Sequence, residues 1–117
     1  MGIGAKYQSE IDYYYSVVTL AKTEVTDNPI SLIYSIDVAN IDGDVGYLHL
    51  FDADADNVTV ATTVADIIIL VPILQPRHIV FPKPIRFGTG FTLCASDAVA
   101  ATGAHNLNVI IGYTSGS

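Results

Sequence analysis

Apolar residues along this chain fall at alternate positions or in short runs, and almost nowhere at helical spacing. The runs are rich in Val, Ile, Tyr, Phe and Thr and are separated by clusters of Gly, Pro, Asn and Asp, the residues of turns. This pattern predicts strands over 16–22 (SVVTLAK), 31–40 (SLIYSIDVAN), 47–53 (YLHLFDA) and 57–64 (NVTVATTV). It continues with 66–73 (DIIILVPI), 77–82 (RHIVFP), 85–96 (IRFGTGFTLCAS) and 107–114 (LNVIIGYT). In the second strand, unbroken alternation places Leu32, Tyr34, Ile36 and Val38 on one face. The run 66–73 does not alternate and predicts a strand buried on both faces, its end confined by Pro72 to an edge or bulge. Pro82-Lys83-Pro84 reads as a rigid connection, and Gly88 and Gly90 as a bulge or a bend between sheets. Turns are predicted at 26–29 (TDNP) and 41–46 (IDGDVG), and a loop at 97–106.

Strands this numerous, spaced about ten residues apart, predict an all-β chain folded as an antiparallel β-sandwich. About eight strands in so short a chain point to jelly-roll-like topology. At 117 residues there is room for one core. Residues 1–15, with four tyrosines, read either as an N-terminal arm or as a first strand, and 16–117 as the single sandwich domain. In the arm reading, Tyr13, Tyr14 and Tyr15 are aromatic anchors on a neighbouring subunit.

Composition sharpens this picture. Half the residues are hydrophobic and 15% are charged, so strand faces must be hidden in the core or against other subunits. No apolar run reaches the roughly 18 residues of a membrane-spanning helix. The longest, Ile67 to Leu74, is interrupted by Pro72, and no membrane association is expected. The N-terminal MGIGAKYQSE lacks a basic leader and apolar h-region, and Lys6 stands where myristoylation wants Ser or Thr. A cytoplasmic product is therefore expected, in which the sequon at Asn57 goes unused. Net charge is −7, unevenly spread: residues 1–56 hold two basic and ten acidic side chains, residues 57–117 three and two. With no basic stripe to displace counterions, nucleic-acid binding is not expected. An acidic half suits docking on a basic protein surface, and equally the solubility of an apolar domain.

The stretch LFDADADNVTV places Asp52, Asp54 and Asp56 at alternate positions. A calcium loop of the helix–loop–helix type needs glycine sixth and a bidentate glutamate twelfth; here those positions hold Asn57 and Thr63. The three aspartates are thus a weak metal candidate and are expected to form an acidic loop facing a partner. His49, His78 and His105 follow no metal-ligand spacing, and His49 alternates with Tyr47 and Phe51. The lone Cys94, in the apolar FTLCA, is expected to be a buried and inert thiol. No G-x-S-x-G or phosphate-binding loop is present. Neither catalysis nor a cofactor is expected.

The segments YLHLFDA, VTVATT, FPKPIRFGTG and the closing VIIGY share a pattern. It resembles the YLxLFDA, VTxGTT, FPxGIRFxTGLT and VxVxY of small virion-associated proteins of tailed bacteriophages. The resemblance covers Tyr47–Ala53, Val58–Thr63, Phe81–Gly90 and Val109–Tyr113, and departs from the pattern at Pro84, where a glycine is usual. It implies a structural protein of the virion: a capsid decoration or cement protein that bridges capsomers on the head. It further implies a homo-oligomer, a homotrimer by preference, bound to the major capsid protein and made in the host cytoplasm. A tail, baseplate or fibre component, or a carbohydrate-binding jelly roll, are the alternatives.

Overall fold

The computed structural model describes residues 11–26, 31–41, 44–98, 101 and 103–115. Eight strands follow in order: β1 (Asp12–Val18), β2 (Thr23–Thr26), β3 (Ser31–Asn40), β4 (Gly46–Phe51), β5 (Ile67–Val71), β6 (Arg77–Phe87), β7 (Phe91–Ser96) and β8 (Leu107–Ser115). They form two antiparallel sheets, β1-β8-β3-β6 (sheet one) and β2-β7-β4-β5 (sheet two). Successive strands thus alternate between sheets except for β4 and β5, which are neighbours in sheet two, and β8 is inserted between β1 and β3. That is jelly-roll winding, two Greek keys folded over one core.

Between the sheets lie Val18, Ile33, Ile36, Val38, Leu48, Leu50, Leu93, Leu107, Val109 and Ile111, all buried. The chain crosses from sheet one to sheet two at Gly88–Gly90. Phe87 and Phe91, one on each side of this bend, meet edge-to-face with centroids 5.2 Å apart. The bend needs glycine at its end: a Cβ on Gly90 would come within 2.7 Å of the Asp54 backbone nitrogen.

Several elements depart from the alternation rule. Strand β1 starts at Asp12 and crosses the expected boundary at residue 15, so Tyr13, Tyr14 and Tyr15 are strand residues paired with Gly112, Ile111 and Ile110. In β3 the register against β8 slips between Ile33 and Ser35, with Tyr34 as the extra residue. This bulge turns the inward set from Ser31 and Ile33 to Ile36, Val38 and Asn40, so Leu32 and Tyr34 do not share a face with Ile36 and Val38. Strand β5 is an edge strand buried on one face only, with Ile68 and Leu70 exposed. The segment Pro82–Pro84 lies inside β6, at the other sheet's edge, where a missing N–H is tolerated.

The predicted strand 57–64 is absent. Residues 52–66 form a loop with one turn of 3-10 helix at Ala55–Asn57, and Thr63 N bonds Thr59 O at 2.8 Å while Thr59 N bonds Thr63 Oγ1 at 2.8 Å. Threonine hydroxyls that satisfy local backbone compete with a ladder, and here they win. The loop folds over the outer face of sheet two and buries Val58 against Phe51, Cys94 and Ala101, a second small core.

Candidate functional site

The outer face of sheet one is built by register. Cross-strand neighbours run Tyr13–Gly112–Ser35–Val80 in one row and Tyr15–Ile110–Asp37–His78 in the next. A third row holds Val17, Asn108 and Ala39. Tyr14 points the other way and packs on the core. Tyr13 and Tyr15 are 70% and 63% exposed, and Val80 60%; Val17 and Ile110 are also exposed. Tyr13 lies beside Gly112, where a Cβ would approach the ring to 3.2 Å, so the glycine leaves a seat for the aromatic. Apolar side chains thus line up on a face that the sandwich itself does not cover.

Between the second and third rows lies a shallow cavity of about 200 Å³, lined by Tyr15, Asp37, Ala39, His78, Asn108 and Ile110 among others. Asp37 and His78 are directly opposite across β3 and β6, and their side chains share an exposed hydrogen bond there. Being solvated, it adds specificity more than stability. This arrangement of aromatic and aliphatic groups around a few polar ones, the Asp37–His78 pair with Arg77 and Asn108, is chemistry for holding a surface.

The three aspartates have separate tasks. The Asp52 carboxylate accepts from Gly88 N at 3.2 Å and Thr89 N at 2.8 Å, clamping the sheet-to-sheet bend. Asp54 accepts from the side-chain amide of Asn57, and Asp56 is exposed. Among the described residues no group of three His, Cys, Asp or Glu side chains could hold a metal ion. Further tethers fix the loop: Lys22 Nζ donates to Ala55 O at 2.6 Å and Val58 O at 2.7 Å, and Ala55 N donates to Glu24 Oε1 at 2.7 Å. Asp52 N donates to Asp66 Oδ2 at 2.6 Å. The loop is a tied lid over sheet two, and Asp54 and Asp56 lie along it.

On the same face of sheet two, buried His49 stacks on Phe51 at 6.5 Å and shares a 2.7 Å hydrogen bond with Ser96 Oγ. Burial holds the imidazole below its ordinary 6.5, against a smaller opposing effect from the Ala98 backbone. The folded state therefore keeps His49 neutral where the unfolded chain takes up a proton. That stability is present above about pH 6.5 and is lost as pH falls. The melting temperature is expected to fall on acidification from pH 7.5 to 5.5, and more steeply in the wild type than in His49→Gln. Equal slopes would remove His49 from the account. Cys94 is also buried, its thiol pushed up to about 11 by desolvation, so it is unreactive.

Sequence reasoning singled out Tyr13 and Tyr15 but missed Val17, Val80 and Ile110, which share their face. The missing signal was a strand start at Asp12: alternation from there carries Tyr13, Tyr15 and Val17 outward together. The expected arm, residues 1–15, falls in its first ten residues outside the described residues. No protein-family model matches this chain, and no curated protein matches it.

Proposed function

We propose that this chain is a structural assembly subunit of a virus particle, a head decoration or cement protein that bridges capsomers as an oligomer. A single observation carries the reading: the exposed apolar side chains Tyr13, Tyr15, Val17, Val80 and Ile110 gathered by register on the outer face of sheet one. An apolar face of that kind on a small domain marks a contact surface. The jelly-roll winding supports the reading as a fold that packs well into shells. The loop over sheet two, with Asp54 and Asp56, supplies an acidic side for a basic shell surface, leaving the apolar side for neighbouring copies. Many weak contacts repeated by symmetry then hold the shell, because no subunit can leave alone. The trimer is the number the bacteriophage resemblance implies.

The test is the copy number of this polypeptide in purified particles of the virus that encodes it, relative to the major capsid protein. A comparable number is expected for a decoration protein. A few copies per particle would move it to the tail, baseplate or fibre, and absence from particles would end the virion reading.

A further inference from the structure

A strand at the rim of a sheet leaves backbone N–H and C=O groups unpaired, and proteins guard such rims against pairing with other chains. This sandwich has four rims: β1, β6, β2 and β5. Three carry a guard. On β6, Pro82 and Pro84 remove donors on either side of Lys83, and the strand leaves its ladder with β3 between Val80 and Ile85. Strand β2 is four residues long and bulged between Glu24 and Thr26. On β5 the carbonyl of Leu70 already accepts from Arg77 Nη1 at 3.0 Å in an exposed contact. Among the described residues strand β1 carries only a long contact of this kind, Ser16 Oγ to Val17 O at 3.4 Å: it is seven residues in unbroken register with β8, with no proline and a single charge, Asp12, at one end.

We propose that β1 pairs antiparallel with β1 of a second copy about a twofold axis through Tyr15, joining two four-stranded sheets into one. Among self-registers, the one centred on Tyr15 matches the whole of Asp12–Val18. It sets Tyr15 against Tyr15, Tyr13 against Val17, Tyr14 against Ser16 and Asp12 against Val18. Aromatic and β-branched residues face one another, a favourable cross-strand combination, and no like charges meet. A chain of net charge −7 can therefore self-associate here, since the contact holds one charge per copy, placed at opposite ends. The register also keeps Tyr13, Tyr15 and Val17 of both copies on one side, so the exposed apolar rows become continuous across the axis. One strand edge with its flanking side chains falls short of the roughly 800 Å² per partner of a standard interface. The pair is accordingly a reversible dimer. It does not depend on the virion reading, and its twofold symmetry stands against the trimer that the bacteriophage resemblance implies: a dimer absent from particles would sink the virion reading and leave this one standing.

Cross-linking of the full chain tests the register. Directly opposed residues in an antiparallel pair have Cα atoms about 4.5–5.5 Å apart, within disulfide range. Cys94 is the only native cysteine and is buried, so the background is low. Under mild oxidant, Tyr15→Cys is expected to give covalent dimer at least an order of magnitude faster than Tyr13→Cys, whose own copies would lie about 13 Å apart along the strands. Wild type should sediment as a dimer that dissociates on dilution, and Val17→Lys, a new rim guard, as a monomer with an unchanged β circular-dichroism spectrum. Equal cross-linking of the two variants, or a wild type that is monomeric or trimeric at high micromolar concentration, would overturn the pairing.

Discussion

Phe91→Ala is expected to lower the free energy of unfolding by about 3–5 kcal/mol, the usual range for deleting a fully buried aromatic. Phe91 has no exposed surface and meets Phe87 edge-to-face where the chain passes between sheets. Its removal takes apolar contacts from both layers at once and leaves a cavity walled by strands that cannot collapse without breaking their ladders. A single domain holds only about 5–15 kcal/mol in total. Loss on this scale should lower the melting temperature by roughly 15 °C. Denaturant unfolding with an unchanged slope would confirm that the loss is native-state packing. A shift under a few degrees would show that the corner is loosely packed, and Phe91→Leu, which keeps much of the volume, should recover most of the loss.

Asp52→Ala should cost about 2–3 kcal/mol, with a different signature. The Asp52 carboxylate receives two backbone donors, Gly88 N and Thr89 N, from the bend between β6 and β7. Hydrogen bonds to charged groups contribute about 1.5–3 kcal/mol each, discounted here because Thr89 is exposed and water can replace part of the contact. Asp52→Asn retains an acceptor oxygen without the charge and should fall between wild type and Asp52→Ala. Amide hydrogen exchange at Thr89 reads the effect directly: protection should drop in Asp52→Ala before global stability is reached. An unchanged exchange rate there would mean that the clamp contributes nothing, whatever the melting temperature does.

The class of fold was legible because strand signals are local. Val, Ile and Tyr alternation over 31–40 and the turn residues around it mark β3 without any partner. What was not legible depended on partners. The Tyr34 bulge shows only in the pairing of β3 with β8 and β6, and nothing local in SLIYSID announces that the inward face changes there. The run NVTVATTV has strand composition, but its threonines close local turns and its Val58 is drawn into the small core under the loop. Pro82 and Pro84 look like breakers, yet an edge strand tolerates them, and whether a strand is at an edge is a property of the whole sheet. For the candidate site, Tyr13 and Tyr15 were visible as unusual residues. Their alignment with Ile110 and Val80 required a register between segments nearly a hundred residues apart. The acidic loop was recognisable as a loop, while the separate role of Asp52 waits on a bend 36 residues away.

The placement of β8 between β1 and β3 has a consequence for how the molecule is made. β8 is the last of the described strands and an interior member of sheet one, so that sheet cannot close until this segment has left the ribosome. Until Leu107–Ser115 emerges, β1 has no ladder and Ile33, Ile36 and Val38 lack the strand beside them. Folding must then wait for β8 and meet the loop-closure entropy of bringing it beside β1, far earlier in the chain, which makes it slow by topology. Nascent copies crowded on one message would expose unpaired strands to one another during that delay. A nonsense codon anywhere before Leu107 would therefore yield an unfolded polypeptide rather than a shortened domain.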